Sequence, residues 1–179
     1  MQSRVGALAL AALVACHSRA APPSPPLANQ GSGAPTFEVK LSRTSCFGTC
    51  PVYSVTIHPD GSVDWSGSEF VAARGARHGH IAADGFDRLA RAIEKVRFFE
   101  LDAHGLVPRP TSCARRGQTT ECDFADSIIC SDTSSATVTI TRAGKTHTTT
   151  NDHCQQTPLE LLEEEIDDVT HTKQWIVKP

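Results

Sequence analysis

Tyr53-Ser54-Val55-Thr56-Ile57-His58-Pro59-Asp60-Gly61-Ser62-Val63-Asp64-Trp65 is the stretch whose pattern decides the fold. Tyr53, Val55 and Ile57 alternate with Ser54, Thr56 and His58, the period of two that marks a strand with one buried and one wet face. Pro59-Asp60-Gly61 interrupts it with turn chemistry: proline presets φ and glycine accepts a positive one. Val63 and Trp65 then resume the alternation. The stretch predicts an antiparallel hairpin.

Towards the N-terminus, Cys46-Phe47-Gly48-Thr49-Cys50-Pro51 leads into this hairpin, and Phe37, Val39 and Leu41 alternate with Glu38, Lys40 and Ser42 as an earlier strand. Cys46 and Cys50, four positions apart, are placed to close a tight loop with Gly48 at its bend. Towards the C-terminus, Phe70-Val71-Ala72 and His80-Ile81 predict short strands broken by Gly75 and Gly79. Asp84 is placed to cap a helix whose apolar stripe is Phe86, Leu89, Ala90, Ile93 and Val96, with Phe98 and Phe99 packing under its end. From 102 to 132 the periodicity fails, and Gly105, Pro108, Pro110 and Gly117 with three cysteines predict an irregular Cys-bearing insertion. Ala136, Val138 and Ile140 alternate with threonines, Ala143-Gly144 turns the chain, and Thr146 to Thr150 returns with almost no apolar face, as an edge strand would.

The last helix carries the clearest start signal. Thr157-x-x-Glu160 is a capping box, and Pro158 takes the first position, where a missing N–H costs nothing. Leu159, Leu162, Ile166 and Val169 form its apolar stripe, while Glu160, Glu163, Glu164, Asp167 and Asp168 are expected to face solvent. Trp175 and Ile176 are expected to fold back onto the sheet. These elements define an α+β class: an antiparallel sheet built from two hairpin-plus-helix halves, with the helices packed on one face and the whole stapled by disulfides.

The N-terminus is expected to be an export signal over residues 1–15. Arg4 supplies the positive segment, and the eleven apolar and small residues from Val5 to Ala15 are too few to span a bilayer. Leu13-Val14-Ala15-Cys16 resembles a lipobox, in which a thiol is acylated and becomes the first residue of the mature chain. Cleavage after Ser18-Arg19-Ala20 is the competing possibility. Residues 16–36, rich in proline, glycine and serine, form the expected lipid-anchored tether, with a reach of roughly 25 Å if flexible. The folded domain is then 37–179. The expected location is the cell envelope, on the outer membrane facing the periplasm or the surface if the organism has two membranes, since His17 rather than an aspartate follows Cys16.

A net charge of −3 leaves no electrostatic footprint for nucleic acid, and Arg74, Arg77, Arg115 and Arg116 are scattered as solvated charge. Of seven cysteines, lipidation of Cys16 leaves six, an even number in an oxidising compartment. Fifteen pairings are open. The preferred set is Cys46–Cys50, Cys113–Cys122 and Cys130–Cys154, the last pair flanking the second hairpin at its open end. Closing a loop of about 25 residues stabilises by roughly 3.5 kcal/mol against about 2 for one of about five, so Cys130–Cys154 ranks as the main stabiliser.

Cys46-Phe47-Gly48-Thr49-Cys50-Pro51-Val52-Tyr53 followed by Asp60-Gly61-Ser62-Val63 resembles a bacterial family known as domain of unknown function 6438. The resemblance runs over most of 37–176, taking in Phe98-Phe99, Gly144-Lys145, Pro158-Leu159 and Trp175. It implies export and lipid attachment and brings no assigned activity, so no catalytic role is carried over. The cysteine-bearing insertion departs from it.

No G-x-S-x-G, H-E-x-x-H or glycine-rich phosphate loop occurs, so no catalytic residue, cofactor or metal ligand is assigned. The expected function is a non-enzymatic binding or interaction module, held to the membrane by a lipid anchor and meeting an envelope protein or ligand. The alternative is a thiol-redox or metal-binding protein that uses the Cys46/Cys50 loop or the His78/His80 pair, with His104, His147 and His153 as further ligands. Against it stand the C-x-x-x-C spacing and the lack of zinc-type cysteine spacing. Intact mass of envelope-extracted protein is expected to show an acylated chain beginning at Cys16; a chain beginning at Ala21 overturns the lipid anchor.

Overall fold

The computed structural model describes residues 37–124 and 130–176. The expected signal (1–15), Cys16 and the tether (16–36) lie outside the described residues. The described chain runs β1 (Phe37–Arg43), β2 (Val52–Ile57), β3 (Ser62–Glu69), β4 (Gly75–His80), α1 (Gly85–Lys95), a 3-10 turn (Phe98–Glu100), β5 (Pro110–Arg116), β6 (Thr119–Phe124), β7 (Ala136–Arg142), β8 (Lys145–Asn151), α2 (Leu159–Val169) and α3 (Lys173–Ile176).

Six strands form one antiparallel sheet in the order β4-β3-β2-β1-β7-β8. The alternation in each central strand sends one row inward. Phe37, Val39 and Leu41 of β1, Val55 and Ile57 of β2, Val63 and Trp65 of β3, and Val138 and Ile140 of β7 are almost fully buried. Leu89 and Ile93 of α1 and Leu159, Leu162 and Ile166 of α2 fill the other side of this core. Each such side chain removed from water is worth about 1.5–3 kcal/mol, which is why the two amphipathic helices settle on this face. The outer face is polar. There β7 and β8 pair Thr137 with Thr150, Thr139 with Thr148 and Thr141 with Thr146, hydroxyl to hydroxyl at 2.9–3.0 Å.

Two local expectations are corrected. The first half is a four-stranded meander rather than a hairpin with short broken strands: β3 continues to Glu69, 70–74 is the turn, and Gly75 and Gly79 lie inside β4. β4 is an edge strand whose residues are all exposed, so no side-chain packing is forfeited at its glycines. The 102–132 insertion is not irregular throughout. Its β5 and β6 form a separate two-stranded sheet with Cys113 opposite Cys122. Every residue of β5 is exposed, so neither face needed an apolar row and the sequence carried no alternation to detect.

The helix starts are also less regular than their sequence signals. Asp84 precedes α1 in helical conformation without a side-chain capping bond. Before α2 the Thr157 N–H donates to Glu160 Oε1 at 3.4 Å, while Thr157 Oγ1 has no partner among the described residues, so the capping box is half formed. β8 lies at the edge as expected, and the segment after the 3-10 turn covers part of it. Thr150 N–H donates to the Ala103 carbonyl at 3.0 Å, and Thr149 Oγ1 donates to the Asp102 carbonyl at 2.7 Å.

Trp175 does fold back. Its ring centroid lies 5.4 Å from that of Trp65, and the Trp175 and Ile176 carbonyls accept from Ala73 and Ala72 N–H at 2.9 and 3.1 Å. The Trp65 indole lies across Gly67, where an added Cβ would meet Trp65 Cη2 at 2.1 Å. A Gly67→Ala substitution should therefore displace the indole and cost about 1–3 kcal/mol, the usual range for overpacking. Denaturant unfolding followed by tryptophan fluorescence measures this; unchanged stability would contradict the packing.

Candidate functional site: the disulfide-braced end of the sheet

β1, β3 and β8 finish, and β2, β4 and β7 begin, at the same end of the sheet. That end therefore collects the loops after Arg43, Glu69 and Asn151 and the approach to Ala136. Two disulfides brace it. Cys46–Cys50 closes the β1–β2 loop and Cys130–Cys154 joins the chain before β7 to the chain after β8, each with a Cα–Cα separation of 5.7 Å. The third, Cys113–Cys122, joins β5 to β6. The three pairs are those preferred from the spacing.

The β1–β2 loop is pinned at several points. Thr44 N–H donates to the Ser135 carbonyl at 3.0 Å, and Phe47 N–H donates to the Asp132 carbonyl at 3.2 Å. Held this way, Phe47 stands 93% exposed. Phe70, in the β3–β4 turn at the same end, is about half exposed and has a φ of +50°, a conformation that side-chain-bearing residues rarely adopt.

Beneath these loops lies a buried charge cluster. Arg43 continues the inward parity of β1 and pairs in register with Tyr53. Its Nη1 donates to Glu163 Oε2 at 2.8 Å, Nη2 to Asp167 Oδ2 at 3.0 Å and Nε to Tyr53 Oη at 2.8 Å. The Tyr53 hydroxyl donates in turn to the Asp167 carboxylate at 2.8 Å. Asn151 Nδ2 donates to Glu163 Oε1 at 3.0 Å, and His153 Nε2 stands 3.1 Å from Glu163 Oε2. Glu163 and Asp167 were expected to face solvent; they are 2% and 8% exposed. The correction has a physical reason: a buried guanidinium must be matched, and acids four residues apart on α2 reach both of its amino groups.

Burial disfavours charge on Arg43, but the facing Tyr53, Asp167 and Glu163 outweigh it and hold the guanidinium more firmly protonated than usual. Burial, reinforced by the Asp167 charge, pushes the Tyr53 hydroxyl far above its ordinary value. Burial also raises the Asp167 carboxyl, a shift that Arg43 and the Tyr53 hydrogen bond oppose only in part. The phenol is thus kept as a hydrogen-bond donor. The cluster's donors and acceptors are directed at one another, which suits docking α2 against β1 and β2. His153 adopts a φ of +53°, held there by its N–H to Asn151 Oδ1 at 2.9 Å and by its Nδ1, which donates to the Ser134 carbonyl at 2.8 Å.

The other expected ligands are dispersed. His78 and His80 share a strand but not a site. His78 Nδ1 lies 2.8 Å from Asp64 Oδ1, whereas His80 faces the backbone carbonyls of Ile81 and Asp60. Asp64 instead joins His78 to His58, whose Nε2 is 2.8 Å from Oδ2. Hydrogen bonding to Asp64 raises the His58 pKa, and the same bond, with that from His78, lowers the Asp64 pKa. His147 Nε2 lies 3.1 Å from the Leu101 carbonyl, and His104 Nδ1 is 3.7 Å from Asp152. Among the described residues no three His, Cys, Asp or Glu converge as a metal site. Arg77, Arg115 and Arg116 lie on exposed strands rather than in loops.

Sequence inspection missed Arg43, Asn151, Glu163 and Asp167 as a group. Two signals were present. Arg43 has the parity of Phe37, Val39 and Leu41, and Glu163 follows Leu159 by four positions on the apolar side of α2.

The fold and its braced end define a class: an α+β domain whose single antiparallel sheet is backed by two helices and closed at one end by a buried ion cluster and two disulfides. The chain belongs to the family described as domain of unknown function (DUF6438), which matches residues 37–170, from the first strand of the sheet to the residue after α2. The match stops short of Trp175. Among curated proteins, no sequence matches this chain.

Replacing Arg43 by methionine keeps its aliphatic stem but leaves two buried carboxylates without a cation. We expect a loss of about 3–5 kcal/mol, as found when one member of a buried pair is removed. Equilibrium unfolding checks it, and a loss under about 1 kcal/mol would show that the cluster does not hold α2 in place.

Proposed function

We propose that the protein is an exported module, tethered to a membrane through acylated Cys16, which binds an envelope protein or ligand with the loop tip at Phe47. The observation that carries this reading is the 93% exposure of Phe47 on a five-residue loop closed by Cys46–Cys50 and pinned to Asp132. A large apolar side chain held in water contributes nothing to the core. It gains free energy only when something covers it, and rigid aromatic side chains are favoured anchors at interfaces because little entropy is lost on binding. Pairing of six cysteines in three disulfides agrees with an oxidising compartment, and hence with export. The long tether expected between Cys16 and β1 would let the domain search for its partner.

The reading separates binding from stability. Phe47→Ala should leave the unfolding free energy within about 0.5 kcal/mol of the parent, as for a surface position. A photo-crosslinking residue at position 47 should give a discrete adduct in native envelopes, while the same residue at Gly144, on the hairpin tip at the far end of the sheet, should give none. Equal labelling at both positions would overturn the reading.

A further inference from the structure

We propose that Cys113–Cys122 is a thiol-exchange site, the disulfide at which an external dithiol reacts while the six-stranded domain stays folded. Four observations point to it. First, Cys113 is the one cysteine of the three described disulfides that is exposed; the other five are partly covered. Attack on a disulfide requires in-line access of a thiolate to sulfur, so exposure selects this bond. Second, the two cysteines sit directly opposite each other in an antiparallel pair, with Cα atoms 4.1 Å apart, shorter than the usual 4.4–6.8 Å; both others lie at 5.7 Å.

Third, β5 and β6 form a sheet of their own, and every residue of β5 is exposed. A two-stranded hairpin is marginally stable alone, so opening its crosslink disturbs little beyond the hairpin. The Cys46–Cys50 and Cys130–Cys154 bonds, by contrast, brace loops that are hydrogen-bonded to one another, Thr44 and Phe47 N–H to Ser135 and Asp132 and Thr133 Oγ1 to Asp152. Fourth, Arg115 lies two residues from Cys113 and so on the same face of β5. Its guanidinium, whose Nε donates to the Gly117 carbonyl at 3.3 Å, keeps a positive charge on that face, which favours the thiolate released when the bond opens. Arg116, on the opposite face, is engaged with Glu121 at 3.0 Å.

The exchange balances with a dithiol reductant. Its first thiolate attacks Cys113 Sγ, forming a mixed disulfide and expelling Cys122 as a thiolate. Its second thiolate then attacks the reductant sulfur of that mixed disulfide and releases Cys113. Two electrons pass to the protein, the reductant leaves as a disulfide, and each cysteine thiolate takes a proton from water. The inference does not depend on the lipid anchor or on Phe47. It moves the redox possibility from Cys46/Cys50 to the projecting hairpin, where bond opening would convert a stapled ribbon into two loose strands.

The test is graded reduction of the full chain with dithiothreitol, followed by alkylation and peptide mapping. Cys113 and Cys122 should become alkylated together at a reductant concentration at least tenfold below that needed for either other pair, with tryptophan fluorescence unchanged. Arg115→Gln should slow this step at least twofold. A Cys122→Ser variant, folded by the same fluorescence criterion, should accumulate a mixed disulfide at Cys113 with oxidised glutathione. Opening of Cys46–Cys50 first, simultaneous opening of all three bonds, or loss of the native fluorescence on reducing Cys113–Cys122 would each overturn the proposal.

Discussion

Arg43 is a full positive charge placed where the sheet meets α2, and the structure around it follows from the need to match that charge. Glu163 and Asp167 on α2 each give it an oxygen, which fixes both the depth and the rotation of the helix. Tyr53 bridges Arg43 and Asp167, so its ring is held at one angle. Trp65 stacks near that ring at 6.0 Å, and Trp175 lies against Trp65 in turn. A single partly buried cation thereby sets the orientation of a row of aromatic side chains from β2 to α3. Apolar packing alone would tolerate α2 sliding by a residue or rotating slightly. The ion cluster does not, because a shifted carboxylate would leave a charge unpaired inside the protein.

The fold was largely legible because each central strand buries one face. Phe37/Val39/Leu41, Tyr53/Val55/Ile57 and Ala136/Val138/Ile140 carry the alternation plainly, and Pro59-Asp60-Gly61 and Ala143-Gly144 mark the hairpins. At Ala143 and Gly144 both residues have positive φ, the two-residue turn whose twist matches an antiparallel pair. Legibility failed where burial is absent: β4 and β5 have no inward row, so their residues follow no pattern. It failed again where burial is polar. Hydropathy assigns Glu163 and Asp167 to water, and only the partner Arg43, 120 and 124 positions away in sequence, reverses that assignment. Local pattern holds no information about such a distant match.

The three disulfides do different work. Cys130–Cys154 closes the longest loop, with a sequence separation of 24, and limits the unfolded chain most. Cys46–Cys50, separated by 4, changes that entropy least; its effect is to shape the loop that carries Phe47. Cys113–Cys122 stands apart on its own ribbon. The same bond type thus stabilises, positions and, at the hairpin, remains open to chemistry.

The middle of the sheet is formed by partners made far apart in time. β1 leaves the ribosome early, yet one of its two neighbours, β7, pairs Phe37 with Arg142, a hundred residues later. The meander β1–β4 contains only near neighbours and can assemble as soon as it emerges. Until β7 arrives, the outer edge of β1 is an unpaired row of backbone groups beside an uncovered apolar face. A nascent chain is therefore most vulnerable to wrong pairing during that interval.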